Sequence, residues 1–515
     1  MDSRLRSAKP ISQSASPAEP WNSPRSTCRL SAQEKTRSGA WNHRSLAARR
    51  VPVIRLTQLM IPPPGTSATS MKLLQGAPRL GPKGHWFFGN AREIAGDPLR
   101  FYAEGAAKFG DLYPVRFLNH RCVVASGPQP IEDVLFTNAR NYRKHFVVRF
   151  LTPVFGNGLF TSEGDFWRKQ RKLVQPAFHR SRIARFGETM VTYAENAARQ
   201  LTPGETRNVH TEFSRLTLLI ACKTLFDADM DGDAGEVAVA LTHLQEATTT
   251  RLEQKIPLPS WIPTRAKRHL DATIRTLDRI VYRIIEDRRR SNVERQDLLS
   301  LLLGMRDDDG QPMSDRQLRD EVVTLFIGGF ETTSIALSWA LHALATHPEV
   351  DRRLHEELSR ELGDRPASLE DLPRLTYLDA FLKESLRLYP PAWVVGREAV
   401  EDGMICGLPI RAGTTVIIPI HQVHRDERWY AEPDALRPER WLGEAPKSLP
   451  KLAWMPFGGG PRVCIGDAFA KMEMSLILAT WLRRFRFEPT ATPPIPQPAF
   501  LLRPKQGVSL RVCSR

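Results

Sequence analysis

The sequence predicts a mainly α-helical domain with a small β region. One long helix is expected over residues 314–347, because residues 322–345 are apolar almost all round and a proline follows at position 348. A second helical pattern covers residues 468–484, directly after a glycine-rich loop. Strand-like runs are few and short, so helices should dominate an α+β architecture.

The composition indicates a chain with a large buried core, since 41% of its 515 residues are hydrophobic and 25% are charged. Six cysteines are scattered without a Cys-x-x-Cys pair, which predicts a reducing compartment and neither a disulfide framework nor a zinc site. The formal net charge is +16. No basic and aromatic stripe accompanies that charge, so no nucleic-acid binding is predicted.

About half of the excess positive charge lies in residues 1–70, which hold eleven basic and three acidic residues. This Ser-, Arg- and Pro-rich stretch has no hydrophobic period, so we expect a disordered extension and a globular domain over residues 71–515. Two interpretations stay open: a transit-like segment, or translation from upstream of a natural start at Met71. No run of 18 apolar residues precedes the domain, so no integral membrane anchor is predicted.

Shorter elements precede the long helix. Residues 113–125 form two strand-like runs around a turn and predict a β-hairpin. A helix is expected to begin near Gly164, after a glycine-containing loop. The region 185–305 is amphipathic and predicted to be helical, with loops at residues 202–204 and 256–257.

The long helix has a polar centre. Ser314 and Gln317 have the spacing of a capping box at its start. In the middle, Gly328 and Gly329 weaken the helix and let a neighbour approach the backbone, and the run Glu331-Thr332-Thr333 follows. The structural alternative is a kinked helix whose hydroxyls bond back to the preceding turn. A membrane span is disfavoured, because a charge at its centre is costly.

Two further elements follow the long helix. A helix over residues 377–389 is closed by two prolines and carries Glu384 and Arg387 three residues apart on one face. Taken alone, this pair is a common surface salt bridge. Residues 414–420 and the tail near residues 500–502 are predicted to be strands.

The stretch from Trp454 to Asp467 leads to a single cysteine through three glycines, a proline and an arginine. Glycines let backbone N–H groups approach the Cys464 sulfur, and the positive end of the following helix favours thiolate over thiol. Arg462 adds a fixed positive charge two residues away. Such a cysteine suits a metal ligand. The alternatives are an inert buried cysteine and a phosphate loop, which lacks the expected Gly-Lys-Ser/Thr.

Five positions of this stretch resemble a known family. Phe457, Gly460, Arg462, Cys464 and Gly466 fill the pattern F-x-x-G-x-R-x-C-x-G of the cytochromes P-450, the haem-thiolate monooxygenases. The resemblance implies that these residues form the cofactor-binding loop. It also implies that Cys464 is the proximal ligand to the iron of haem b, iron protoporphyrin IX.

The resemblance covers about residues 78–512 and implies the family's fold, in which a long distal helix crosses a buried haem. In that helix Glu331 and Thr332 match the acid–alcohol pair that passes protons inward for oxygen activation. Gly328 stands where one subfamily of fatty-acid hydroxylases has a glutamate esterified to the haem, so no such link is expected. Peroxide-driven relatives lack the acid–alcohol pair, so dioxygen with electrons is the expected oxidant.

The resemblance also assigns the remaining cofactor residues. Trp167 and Arg171 lie one helical turn apart and match positions that donate to a haem propionate, and Arg397 matches another propionate partner. Arg168 and Lys172 occupy an adjacent face of the same helix. They form either a solvated basic face or a docking face for an acidic electron donor, and both interpretations stay open.

In the company of these motifs, Glu384 and Arg387 match the family's E-x-x-R pattern, and Arg440 completes a triad. The resemblance implies a buried ion network that fixes the haem loop. Its role is structural, and losing one partner would leave a buried charge at a cost of roughly 3–5 kcal/mol.

These observations predict a cytochrome P-450 catalytic domain of the soluble bacterial type. Its expected reaction is the hydroxylation or epoxidation of an apolar small molecule such as a fatty acid, terpene or steroid. The candidate substrate-facing residues are Leu325, Gly328, Ala392 and Val394. Electrons are expected from NAD(P)H through a separate ferredoxin or flavodoxin and its reductase, because the chain shows no fused flavin or iron–sulfur domain.

Two alternatives remain at this point. The protein is a haem protein for gas sensing or electron transfer, or a haem-thiolate isomerase or dehydratase; the intact Glu331–Thr332 pair disfavours both. The expected location is the bacterial cytoplasm, and it becomes mitochondrial if residues 1–70 are a transit peptide.

Overall fold

The computed structural model describes residues 81–227, 264–291, 297–307 and 309–515. All of these belong to one structural unit, Ser67–Arg515. The predicted extension over residues 1–70 and the predicted loop at residues 256–257 lie outside the described residues. The boundary at residue 70 therefore stays a prediction.

Helices account for most of the described chain. In order they are α1 Ala91–Gly96, α2 Pro98–Phe109, α3 Pro128–Glu132, α4 Phe146–Arg149, α5 Thr152–Phe155, α6 Gly164–Val174, α7 Arg180–Ile183, α8 Gly187–Ala198, α9 Val209–Phe226, α10 Arg265–Arg290, α11 Leu298–Gly304, α12 Asp315–Thr346, α13 Pro348–Leu362, α14 Thr376–Leu388, α15 Ile420–Val423 and α16 Asp467–Arg484. Short 3-10 turns connect several of them, among them Pro438–Trp441 and Gly460–Arg462.

The strands form small sheets. They are β1 Leu112–Phe117, β2 His120–Ala125, β3 Tyr142–Lys144, β4 Thr206–Asn208, β5 Val395–Ala399, β6 Gly403–Ile405, β7 Leu408–Ile410, β8 Thr415–Ile418, β9 Phe485–Pro489, β10 Pro496–Pro498, β11 Leu502–Pro504 and β12 Ser509–Ser514. Five of them form a sheet in the order β1-β2-β8-β5-β3, in which only the β2–β8 pair is parallel. A second sheet has the order β4-β12-β9, and β6–β7 and β10–β11 are hairpins. The mainly helical class with a small β region is confirmed.

Helix α12 is the central element, as predicted. Ser314 caps it by accepting a hydrogen bond from the backbone N–H of Gln317. The reciprocal half of the predicted capping box is replaced, because the Gln317 amide instead donates to the Asn157 carbonyl and to Glu321. Most of the helix is buried, and it packs against α9, where the Thr217 hydroxyl donates to the Phe330 carbonyl at 3.0 Å.

Among the described residues, α12 is the one helix long and apolar enough to cross a membrane. The most apolar part of α12 is 72% buried within the domain. The core helix of a large domain has the same composition, so its length and hydropathy do not indicate a span.

The strand predictions hold with shifted bounds. The hairpin at residues 113–125 is confirmed as β1 and β2. The strand expected over residues 414–420 ends at Ile418, because Pro419 stops it and α15 begins. The strand expected near residues 500–502 begins only at Leu502, since residues 499–501 form the turn of the β10–β11 hairpin. Strand β4 was not predicted, because its partner β12 lies about 300 residues away in sequence.

The main hydrophobic core surrounds α12 and draws on α8, α9, α14 and α16. A separate cluster under the five-stranded sheet includes Leu135, Val416 and Met455. These two cores hold α12 and the Cys464 loop on the same scaffold, which fixes the surroundings of the candidate site.

Candidate active site

The Cys464 loop is a compact series of turns ahead of α16. The Cys464 backbone N–H donates to the Phe457 carbonyl at 3.0 Å, and the Val463 N–H donates to Gly460 at 3.1 Å. The Lys471 ammonium, from the first turns of α16, lies 4.9 Å from the Phe457 ring centroid. The loop therefore closes on itself and presents the cysteine at the start of a helix.

Gly460 has a clear steric reason to be glycine. Its φ is +72°, in the left-handed region, and a Cβ there would lie 1.9 Å from the Leu135 carbonyl oxygen. Gly458 also has a left-handed φ, +75°, but a Cβ there would meet nothing within 4 Å. Gly466, the fifth position of the motif, has only the Phe178 ring nearby at 3.8 Å.

Cys464 is exposed at the surface of its loop, although many protein atoms surround the residue at longer range. Its exposed side is the side available for coordination of a metal. Burial raises the pKa of the Cys464 thiol, against a hydrogen bond from the Gly466 N–H and the charges of Arg171 and Lys471, which lower it. The predicted preference for thiolate is thus outweighed by desolvation in the protein alone. A cation at the sulfur would reverse that balance.

The structure brings Glu384, Arg387 and Arg440 together. Glu384 and Arg387 are both 0% exposed and paired bidentately, with Nε–Oε2 and Nη2–Oε1 distances of 2.8 Å. Arg440 Nε donates to Glu384 Oε1 at 3.2 Å. The Trp441 indole N–H adds a bond to Glu384 Oε2 at 2.8 Å. Full satisfaction of both charges explains how an ion pair survives in the core.

His424 connects this network to the Cys464 loop. Arg387 Nη1 donates to the His424 carbonyl at 2.9 Å, and the His424 Nε2 accepts the Met455 backbone N–H at 2.8 Å. Burial and the Arg387 charge lower the pKa of His424 to about 3, so it is neutral. His424 and Trp441 could not be named from the sequence, because no motif spacing marks a histidine that acts through its backbone carbonyl and one ring nitrogen.

Three cations meet beside the loop. Lys144, at the end of β3, is half-buried, with its Nζ 4.0 Å from the Phe160 ring centroid, and donates to the Phe160 carbonyl. Burial, with the charges of Arg462 and Arg397, lowers the Lys144 pKa well below its ordinary value. Burial likewise lowers the pKa of Arg397 to about 10. Lys144 had no sequence signal, since an isolated lysine on a short strand carries no pattern.

Glu163 is the carboxylate that faces these three cations. It pairs with Arg462, and its Oε1 accepts the Lys144 backbone N–H at 2.8 Å. Arg462 also donates to the Ser162 carbonyl at 2.9 Å and stacks 4.1 Å from the Trp167 ring centroid. One carboxylate among three half-desolvated cations leaves a surplus of positive charge.

Helix α6 lies beside the Cys464 loop, and its two arginines have different partners. Arg171 Nη1 donates to the Val463 carbonyl at 2.9 Å, so the structure ties it to the Cys464 loop. Arg168, on the adjacent face, is exposed and pairs with Asp165 within the helix. The propionate contacts predicted for Trp167 and Arg171 stay predictions, as does electron-donor docking at Arg168 and Lys172.

The polar centre of α12 shows hydroxyls bonded to backbone carbonyls. Thr332 Oγ1 donates to Gly328 O at 2.9 Å and Thr333 Oγ1 to Gly329 O at 3.1 Å, which is the back-bonding considered as the structural alternative. The carbonyls of residues 330, 331 and 334 also accept hydroxyls, from Thr217, Ser334 and Ser338 respectively. Thr332 and Glu331 are half-buried.

Gly328 and Gly329 differ in their surroundings. A Cβ on Gly328 would meet nothing within 4 Å, whereas one on Gly329 would lie 3.6 Å from Leu225. Gly328 therefore faces open space one turn before Thr332. The other candidate substrate-facing residues are not gathered there: Leu325 packs in the main core, and Val394 packs with the cluster around Trp393. Ala392 is half-buried. All four assignments stay predictions.

These residues fit a haem. Cys464 offers one accessible sulfur, Gly460 leaves no room for a side chain in the loop, and the surplus positive charge of Lys144, Arg397 and Arg462 matches two propionate carboxylates. On α12, by contrast, an acid and an alcohol interrupt a mostly apolar stretch of helix. Fold and site together define a haem-thiolate oxygenase.

The chain belongs to the cytochrome P450 family. The family model described as "Cytochrome P450" matches residues 78–511. The family uses a haem cofactor supplied with electrons by a redox partner, and this protein is an oxidoreductase of that monooxygenase type.

Several named relatives support the assignment. The chain is similar to the cyclooctatin synthase of Streptomyces melanosporofaciens, with 35% identity over 84% of this chain and 93% of the relative. It is 34% identical to the cyclooctat-9-en-7-ol 5-monooxygenase of the same organism, over 76% of this chain and 85% of the relative. It is 32% identical to the pentalenene oxygenase of Streptomyces avermitilis, over 77% and 88% respectively.

Proposed function

We propose that the protein inserts one oxygen atom into a terpene or a comparably apolar hydrocarbon. The observation that carries this proposal is the similarity to two oxygenases whose names specify a hydrocarbon skeleton, cyclooctat-9-en-7-ol and pentalenene. The site agrees with it, because the stretches of α12 directly on either side of the Gly328–Ser334 centre, residues 322–327 and 335–337, are mostly apolar. An uncharged, largely hydrocarbon substrate would leave no polar group unpaired in such a site.

In this proposal Cys464 holds the iron, and Lys144, Arg397 and Arg462 hold the propionates. When bound, the haem supplies dioxygen activation and the transfer of one oxygen atom. The Thr332 hydroxyl now donates to Gly328 O, so it must turn away from that carbonyl to hand a proton into the open space beside Gly328. The half-buried Glu331 is the neighbouring acid that restores this proton.

We further propose that electrons come from NAD(P)H through a ferredoxin or flavodoxin and its reductase, and that the enzyme works in the bacterial cytoplasm. Exposed Arg168 supports docking of an acidic donor at α6, although it already pairs with Asp165. Lower turnover in Arg168→Glu at a limiting ferredoxin concentration, with unchanged turnover at saturation, is the expected result. An equal loss at both concentrations would contradict docking at this face.

The substrate class is tested by titrating the purified haem protein with panels of terpenes, fatty acids and steroids. Terpenes should shift the haem absorbance towards the high-spin form, and ¹⁸O₂ should label the product by one atom. Binding of fatty acids or steroids alone would overturn the substrate class. A reduced carbon monoxide complex without the thiolate absorbance band would overturn the haem ligation itself.

The proton role is tested with Thr332→Ala against Thr333→Ala. Removing the Thr332 hydroxyl should lower product per NAD(P)H consumed by about tenfold or more, with hydrogen peroxide taking its place, while Thr332→Ser restores coupling. Thr333→Ala removes an equivalent back-bonded hydroxyl that is buried, so it should remain coupled. Equal uncoupling in both alanine variants would indicate a role of helix geometry alone.

A further inference from the structure

The first turns of α12 carry three consecutive buried charged residues, Arg319, Asp320 and Glu321. None belongs to a motif used above, and they are 5%, 3% and 0% exposed. Each contacts a different point of residues 154–159, which are the end of α5 and the loop that follows it towards α6. We call these three residues and that loop the loop clamp.

The contacts of the loop clamp follow the same order along α12 and along the loop. Arg319 Nη1 donates to Val154 O at 2.8 Å. The Asn157 N–H donates to Asp320 Oδ2 at 2.8 Å, and the Leu159 N–H donates to Glu321 Oε2 at 2.9 Å. Such pairing of successive residues fixes the position of the loop along the axis of α12.

Two glycines permit this approach. A Cβ on Gly156, whose φ is +55°, would lie 2.0 Å from the Asp320 carboxylate. A Cβ on Gly158 would lie 2.2 Å from the Thr324 hydroxyl. The loop therefore lies directly on α12, and its position depends on the clamp contacts.

The same loop continues into the cation site. Three residues beyond Leu159, the Ser162 carbonyl accepts Arg462 Nη1, and the next residue, Glu163, pairs with Arg462 and accepts the Lys144 N–H. A shift of the loop must therefore displace the partners of two site cations.

We propose that Glu321 is a positioning residue that ties this loop to α12, sets the partners of Arg462 and Lys144 through it, and loosens its hold as the pH rises. Glu321 lies outside the family motifs. Its positioning role rests on the proposed haem site but not on the identity of the substrate.

The charges around Glu321 are defined on every element of the clamp. On α12, Asp320 raises the pKa of Glu321, while Gln317 lowers it by donating to Oε1 at 2.9 Å. Arg319 is engaged by Asp320 and by Asp278 of α10, at 2.9 and 2.7 Å. From the loop, Glu321 receives the Leu159 N–H.

The direction of the pH effect follows from the burial of Glu321. With the loop closed, burial raises the pKa of Glu321 to about 7. With the loop open, water reaches the carboxyl and returns the pKa to its ordinary value of about 4.3. Protonation therefore favours the closed loop, which is fully favoured below the open-state pKa and weakens as pH rises through the closed-state pKa.

Hydrogen exchange on the full-length protein tests this, because the Leu159 amide is the clamp donor. After correction for intrinsic rates, exchange of the peptide covering residues 156–163 should speed up by about tenfold per pH unit between about pH 5 and pH 6.5 and level off above about pH 7.5. A peptide around Tyr377 is the internal control, since its N–H groups are held by the buried carboxylate of Glu357 in the same way.

Glu321→Gln imitates the protonated side chain and should leave exchange of the loop independent of pH, whereas Glu357→Gln should keep the wild-type loop profile. A flat wild-type profile overturns the proposal, even if Glu321→Gln fails to fold. So does a loop profile that follows the Tyr377 peptide, or a slope that persists in Glu321→Gln.

A second measurement links the clamp to the cofactor. Transfer of haem to an excess of an apo acceptor should become faster with pH over the same range in wild type and show no such slope in Glu321→Gln. If Glu321→Gln retained the slope, Glu321 would not control the cation site. The exchange experiment needs no haem, so failure of the proposed function and failure of the clamp give different results.

Discussion

The Met455 backbone N–H donates to Nε2 of His424 at 2.8 Å. Because Nε2 is the acceptor, Nδ1 carries the ring proton and faces the Arg387 carbonyl at 3.2 Å. One neutral histidine thus joins the Glu384–Arg387 pair to the chain two residues before Phe457. The ion network and the cysteine loop are one hydrogen-bonded unit.

The buried His424 should make the free energy of unfolding depend on pH. Its pKa of about 3 in the fold lies below the ordinary value of 6.5, so the unfolded chain binds the extra proton and stability falls as pH drops below about 6.5. In His424→Gln, this share of the slope, up to about 1.4 kcal/mol per pH unit, should disappear. Urea unfolding from pH 5 to pH 7 measures it, with exposed His179→Gln as the control. An unchanged slope in His424→Gln would contradict a neutral buried ring.

Arg387→Met should destabilise the fold by roughly 3–5 kcal/mol, because it leaves the Glu384 carboxylate 0% exposed without its bidentate partner. The matched control is Arg352→Met. Arg352 also pairs with carboxylates within a helix, Glu349 and Glu356, but its side chain is 55% exposed, so the loss should be much smaller than in Arg387→Met. Denaturant unfolding compares the two, and similar losses would argue against a buried network.

Gly460→Ala should disrupt the Cys464 loop, since the new Cβ would meet the Leu135 carbonyl in addition to the strain of a positive φ. Gly458→Ala carries a similar φ in open space and isolates the conformational cost, roughly 1–2 kcal/mol. Haem content and unfolding free energy should therefore fall further in Gly460→Ala. Equal effects would show that the contact with Leu135 is relieved easily.

Lys144→Gln should weaken haem retention by about 1.5–3 kcal/mol, the range of a hydrogen bond to a charged group. The reason is that the half-buried ammonium of Lys144 lies near the charges of Arg397 and Arg462. Lys108→Gln is the control, because Lys108 also lies over a phenylalanine ring, 5.6 Å from the Phe109 centroid, but is exposed. Haem transfer rates measure both, and equal rates in the two variants would exclude Lys144 from the cofactor site.

Long periodic elements could be predicted from the sequence. The bounds of α12 follow from an apolar run with a serine before it and a proline after it, and those of α14 from a pair of closing prolines. These signals are local, so they need no knowledge of the rest of the fold. Strand β4 shows the opposite case, because three residues become a strand only when β12 arrives from the far end of the chain.

The candidate site divides in the same way. The residues that match fixed spacings, such as Cys464 and the pair Glu384–Arg387, could be named from the sequence, and the structure places each in a strongly constrained position. Lys144 and His424 could not be named, because their importance comes from burial and from partners distant in sequence. Arg171 shows that a motif position does not by itself identify the partner, since this arginine donates to the Val463 carbonyl in the structure.

The hydroxyls that cover the carbonyls of α12 from Gly328 to Ser334 affect its mechanics. A carbonyl shared between a backbone amide and a hydroxyl loses less when its amide partner drifts away, so bending costs less there than in the flanking turns. The helix should therefore bend more easily in this segment than in the turns on either side. A bulky ligand beside Gly328 can then be accommodated by bending of this segment, while the outer turns keep their packing.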